Sequence, residues 1–239
     1  MNKLSRILHS ITQKNLFQKQ IDSKKTPLHF LHIGKTGGSA IKYALQEPGL
    51  SNTYDIILHN HEIALSDIPL GEKFFFSVRN PIDRFVSGFY SRLRQGSPKY
   101  KSPWSADEKK AFNLFSIPNE LAEALSHADT DLKSEAQMAM KAIGHVNSSY
   151  WQWFKEEAYF MSRREDVFFV CHQNNLTKDF HEFKKLLDLK KDIALPELDS
   201  IHAHSNPAGL DCFLSDQARR NLSEWYKMDL RFCELVDGY

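Results

Sequence analysis

Cysteine, long apolar runs and net charge are what this sequence has least of. The 239 residues include three cysteines, Cys171, Cys212 and Cys233, widely spaced from one another. An odd count without a close pair argues against a disulfide framework and against the usual zinc spacing, and it fits a reducing compartment. No apolar run approaches the roughly 18 residues that a membrane-spanning helix needs. The N-terminal stretch MNKLSRILHSITQKNLFQKQIDSKK is basic but interrupted by polar residues, so it lacks the continuous apolar core of a signal peptide. Cytoplasmic location is the expectation. Leu4, Ile7, Leu8 and Ile11 have helical spacing, and a short amphipathic extension is expected over 1–27, packed on the domain surface or touching a membrane peripherally. Formal net charge is +1, which leaves no whole-molecule attraction for nucleic acid or membrane. Any anion site must be local. Repeats and low-complexity segments are missing as well.

What is present is an ordinary globular composition. Apolar residues make up 41% and charged residues 26%, so a folded chain rather than a disordered one is expected. The runs LHFLHI (28–33), YDIIL (54–58), KFFFSV (73–78) and DVFFVC (166–171) are apolar at most positions, the pattern of strands covered on both faces. Helical patterns lie between and after them. GSAIKYALQ follows the first strand. PIDRFVSGFYSRLR aligns Phe85, Phe89 and Leu93, with Pro81 in its first turn. PNELAEALSH comes next, then LKSEAQMAMKAIG with Gly144 as its expected C-cap. TKDFHEFKKLLDL aligns Phe180, Phe183 and Leu187 behind Thr177 as expected N-cap. A long closing helix, SDQARRNLSEWYKMDLRFCEL, is capped by Ser215 and buries Leu222, Tyr226, Leu230 and Cys233. The stretch 95–106 reads as a loop. Strands alternating with helices predict an α/β fold with a central parallel sheet, in a single domain over 28–239.

The chemistry gathers at two places. After the first strand comes Gly34-Lys35-Thr36-Gly37-Gly38-Ser39, a glycine-rich turn running into a helix. Backbone N–H groups in such a turn can point at an anion, and its glycines permit close approach. Lys35 adds a mobile positive charge, and Thr36 and Ser39 add hydroxyls. The order differs from the G-x-x-x-x-G-K-[ST] loop of nucleoside-triphosphate sites, where the lysine follows the last glycine. Here it precedes the glycine pair. The second place is Val78-Arg79-Asn80-Pro81, where a strand ends on an arginine that can grip a phosphate through two bonds, with Ser87 further along the helix.

Together, GKTGGSA and VRNPIDRFVSGFY resemble the sulfotransferases that use 3′-phosphoadenosine 5′-phosphosulfate (PAPS), and more narrowly the carbohydrate type related to heparan and chondroitin sulfotransferases. FFVCHQNNLTKDFHEFKKLLDL and the closing Tyr226-x-x-Asp229 also look like pieces of that family, so the resemblance spans most of 28–236. It implies a P-loop-like, three-layer fold. It implies that Gly34, Lys35, Thr36, Gly37, Gly38 and Ser39 hold the 5′-phosphosulfate, and that Arg79 and Ser87 hold the 3′-phosphate. The product would be 3′-phosphoadenosine 5′-phosphate (PAP). No metal is expected, because a sulfuryl group carries less charge than a phosphoryl group. Two positions depart from the pattern: Gly34 stands where a proline is frequent, and Asn174 where a glutamate is.

Sulfuryl transfer needs a base for the acceptor's proton and a cation for the leaving oxygen. Lys35 suits the leaving oxygen. His59 and His61, in LHNHE, suit the base, since histidine titrates near neutral pH. The resemblance to the uronyl 2-O-sulfotransferase branch favours His61, with His59 orienting the acceptor or sharing the role and Glu62 in reserve. Both could also be exposed loop histidines. Arg92, Arg94, Lys99 and Lys101 could steer a polyanionic sugar or form a solvated face. NSSYWQWF (147–154) could stack on a sugar ring or belong to the core. His32 reads as a packed strand residue, and His202 and His204 as residues of a late loop. The expected activity is transfer of a sulfuryl group from PAPS to a hydroxyl of a carbohydrate, in a bacterial cytoplasmic enzyme. The alternatives are a kinase using ATP and magnesium, and a nucleotide-binding module without catalysis.

Overall fold

The computed structural model describes residues 25–98, 100–189, 192–197 and 209–238. The expected N-terminal helix, Lys99, His202 and His204 lie outside the described residues. Strand and helix alternate as β1 (Thr26–Leu31), α1 (Gly38–Ala44), β2 (Tyr54–Leu58), β3 (Lys73–Val78) and α2 (Pro81–Leu93). A helical excursion follows: α3 (Ala106–Leu114), α4 (Pro118–Ala124), α5 (Thr130–Ala142), α6 (Trp151–Phe154) and α7 (Glu157–Ser162). The chain then returns to the sheet with β4 (Val167–His172) and ends in α8 (Leu176–Leu186), α9 (Asp216–Trp225) and α10 (Lys227–Val236).

The four strands are parallel, in the order β2-β1-β3-β4. The chain leaves β1 for β2 on one side and comes back to β3 on the other. The order therefore reverses between β1 and β3. In open parallel sheets, the crevice beyond the carboxyl ends at such a point is where ligands bind. The glycine-rich turn follows β1, and Arg79 follows β3, so both motifs stand at this crevice.

Side chains alternate between the two faces of the sheet. Phe74 and Phe76 pack with Phe154, Phe160 and Phe232 on one face. Phe75 packs with Ile41, Phe180 and Phe183 on the other. Helices thus cover both sides of the central strands, which is why β1 and β3 read as continuous apolar runs. The edge strand β2 is only half-buried along its length, less than its sequence suggests. A third cluster joins Phe85 and Phe89 of α2 to Phe112, Leu121, Met140 and Leu222 of the helical excursion and α9.

Several expected boundaries are corrected. The closing helix is broken at Tyr226, whose φ of −102° and ψ of 21° leave the helical region. Its two halves serve different partners. α9 turns Ala218 and Leu222 to the helical cluster, whereas α10 turns Phe232 and Val236 to the sheet. One straight helix cannot face both, so Leu230 and Cys233 are only half-buried and Asp229 is buried in their place. Helix α5 ends at Ala142, before Gly144. Thr177 lies inside α8, whose cap position is Asn175. α3 has no counterpart in the sequence reading, although Ser105 and Glu108 open it with a reciprocal capping box.

Candidate active site

The turn after β1 is built from strained and close-packed backbone. Lys35 has φ 68° and Gly37 φ 90°. A positive φ is uncommon for a residue with a Cβ, so the lysine is held in its pose by the surrounding turn. A Cβ on Gly38 would stand 2.4 Å from the His32 ring, and one on Gly37 would stand 2.8 Å from Leu176. Both positions therefore need glycine. The Thr36 hydroxyl donates to the Ile33 carbonyl at 3.0 Å, so the Ser77 hydroxyl of β3, 2.8 Å away, donates to Thr36. Thr36 is fully buried. Its side chain ties the turn to the sheet, and its backbone N–H is the group it can offer a ligand.

Three cations converge on this turn. Burial, reinforced by the positive charges of Arg79 and Arg94, lowers the Lys35 pKa to about 8. A buried lysine with two arginines close enough to add to its shift is a place organised for negative charge. Arg79 also has its pKa lowered by burial, and its Nε is a buried donor without a hydrogen-bond partner among the described residues. Such donors are rare in folded proteins and point to a bound acceptor. Asn80 caps α2 by accepting from the Ile82 N–H at 2.9 Å, and Pro81 begins the helix. Ser87 is buried further along α2. Arg94 closes the same helix. The sequence groups it with the residues that could steer an acceptor or form a solvated face; in the structure its charge is felt at Lys35.

The two histidines separate cleanly. His59 is buried, and its Nε2 lies 2.8 Å from His29 Nδ1, while His29 Nε2 lies 2.6 Å from Glu72 Oε2. Burial, with the neighbouring His29 and Lys42, pushes the His59 pKa down to about 3. It is a neutral member of an internal chain and a weak base. His61 is exposed. Its Nδ1 lies 2.8 Å from the His32 carbonyl oxygen. A carbonyl can only accept, so Nδ1 carries the proton and Nε2 the basic lone pair. Its ring packs on His32 with centroids 3.8 Å apart, and His32 touches Gly38 of the turn. The Trp153 indole N–H donates to the His61 carbonyl at 2.9 Å. Glu62 is exposed beside it.

The other sequence candidates fall into place. Arg92 is buried in a two-point ion pair with Glu108, at 2.6 and 2.7 Å, and neither steers a ligand nor lies on a solvated face. Lys101 is exposed. In the aromatic stretch, Tyr150, Trp153 and Phe154 are core residues, so sugar stacking is not their use. That core nevertheless reaches the site, through Trp153 at His61 and through Tyr150 at Arg79. No local sequence signal marks either contact, because each joins segments remote in the chain. A cavity of about 780 Å³ is lined by Gly37, Ala40, Gln173, Leu176, Phe180 and Leu195, among others. Lys35 and Arg79 are not part of its wall. Among the described residues, no three histidine, cysteine or acidic side chains gather to hold a metal ion, and no helix is long and apolar enough to cross a membrane. A scan of the chain against protein-family models finds no match, and a search of curated proteins finds none either.

Proposed function

We propose that this chain transfers a sulfuryl group from PAPS to a hydroxyl of a carbohydrate acceptor. The observation that carries the reading is the meeting of Lys35 and Arg79, from the ends of β1 and β3, at the point where the strand order reverses. Cations brought together from two adjacent strand ends suit a ligand with more than one anionic group, such as a nucleotide with phosphates on both its 5′ and 3′ sides. The 34–39 turn takes the 5′-phosphosulfate, and Arg79 with Ser87 takes the 3′-phosphate. The cavity that Gly37 lines has the size of a small-ligand pocket and suits the nucleoside part. The position of the lysine, ahead of the glycine pair and with no Lys-[ST] behind it, disfavours a triphosphate–magnesium loop. The carbohydrate acceptor rests on the family resemblance alone.

The residues divide the work as follows. His61 Nε2 takes the acceptor proton while the acceptor oxygen bonds to sulfur. The bond between sulfur and the 5′-phosphate oxygen breaks, and its electron pair stays on that oxygen. Lys35 stabilises the charge developing there, with Arg94 as a third positive neighbour. His59, locked to His29, supports the strand end from which His61 projects.

Calorimetric titration with PAP and with ATP, each with and without magnesium, tests the reading. PAP is expected to bind more tightly than ATP and without metal, and Arg79→Ala is expected to remove the preference. Tighter ATP binding that requires magnesium would overturn the reading in favour of a kinase.

A further inference from the structure

Arg79 occupies a gap in the backbone ladder. β3 ends at Val78, α2 begins at Pro81, and Asn80 is fixed by its own capping bond. A peptide group left in such a gap needs partners from elsewhere. One side chain supplies both. The Tyr150 hydroxyl accepts from the Arg79 N–H at 2.9 Å and donates to the Arg79 carbonyl at 2.6 Å. The phenol is fully buried, and burial raises its pKa, so it keeps the proton that the second bond requires.

The tyrosine is itself held from three directions. Its backbone N–H donates to Asp229 Oδ1 at 2.6 Å. The Arg84 guanidinium lies over its ring, 4.3 Å from the centroid, and reaches Asp229 at 3.6 Å. Phe232 stacks on the ring with centroids 4.8 Å apart. Arg84 and Asp229 are both buried. A buried ion pair stabilises a fold no better than well-packed apolar side chains of equal volume, and its best use is to specify one arrangement. The arrangement specified here is the root of Arg79.

We infer that Tyr150, set by Arg84 and Asp229, is a positioning residue that aims the Arg79 guanidinium and so determines selectivity for a 3′-phosphate. The inference rests on the reading of Arg79 given above. Recognition by two parallel bonds depends on angle, and displacements near 1 Å at a site cost about 100-fold in function. Losing the phenol leaves the arginine present and charged, with both phenol bonds to its peptide gone and only the long, weak Cys233 thiol contact at 3.8 Å left on its carbonyl.

The test compares PAP with adenosine 5′-phosphate, which lacks the 3′-phosphate, on wild type, Tyr150→Phe, Arg79→Ala and the double variant. Phenylalanine keeps the ring against Arg84 and Phe232 and removes only the hydroxyl. The expected result is a wild-type preference for PAP that drops about tenfold in Tyr150→Phe, with adenosine 5′-phosphate bound as before. In the Arg79→Ala background, the tyrosine substitution is expected to change the preference no further, the non-additivity of coupled residues. A purely structural tyrosine would lower the melting temperature and leave the ratio intact; a folded Tyr150→Phe with the wild-type ratio overturns the inference. If Tyr150→Phe does not fold, Asp229→Ala, which removes the acceptor of the Tyr150 N–H and the partner of Arg84, answers the same question with the phenol in place, and an unchanged ratio there overturns it equally. A wild type that does not distinguish the two nucleotides overturns the reading of Arg79 and this inference with it.

Discussion

At the scale of single residues, the pH response separates the two groups assigned to chemistry. Lys35 is useful only as a cation, and its pKa is about 8 rather than the usual lysine value. Activity should therefore be complete below that value and fade as pH rises through it. His61 is useful only as a neutral imidazole, so its limb lies on the acid side, where activity rises with pH. A profile of kcat/KM, which reports the free enzyme, should be bell-shaped, and in His61→Gln the acid limb should disappear while kcat falls by about 100-fold or more. Retention of the acid limb in that variant would move the base elsewhere. His59 does not compete for the role, because a base held near 3 by burial gives little driving force at neutral pH.

At the scale of elements, the pair Arg92–Glu108 links α2 to α3 and to the segment after α5. Glu108 accepts from Arg92, from the Ser105 N–H at 3.0 Å and from the Gly144 N–H at 3.0 Å. These bonds hold its pKa near 2 despite burial. Glu108→Ala strands a buried guanidinium, and the expected loss is about 3–5 kcal/mol, to be read from urea denaturation midpoints. Loss of acceptor affinity without loss of stability would restore a steering role to Arg92. The elements also show what a sequence can and cannot disclose. β1, β3 and the 34–39 turn were legible because their constraints are local: apolar on both faces, then glycine where a Cβ would strike His32 or Leu176. The break at Tyr226, the buried use of Arg92 and the grip of Tyr150 on Arg79 were not. Each is decided by which remote surface a helix or side chain meets, and no spacing within the segment records that.

At the scale of the whole molecule, the internal chain His59–His29–Glu72 links acidity to stability. Burial lowers the pKa of His29 and, more strongly, of His59. In the unfolded chain both titrate near the ordinary value of about 6.5. The folded state therefore binds fewer protons. The stability these groups contribute is present above about pH 6.5 and is lost progressively as pH falls toward the folded values. Melting temperature should decline through this window, and His59→Gln should flatten the decline even if it lowers the plateau. An unchanged slope would place the titrating groups elsewhere.

Tyr150 and Trp153 stand a single helical turn apart, and each holds one end of the candidate site: the phenol grips Arg79 and the indole grips the backbone of His61. The distance between the proposed anion clamp and the proposed base is thereby set by one short rigid piece, like the span of a gauge block. A shift of that turn carries both groups in the same direction, so the spacing survives even when the site as a whole moves against the sheet. Substitutions elsewhere then leave this spacing unchanged only where the turn and the Arg84–Asp229 pair that sets Tyr150 both remain intact. A change within the turn disturbs the Arg79 and His61 ends of the candidate site together.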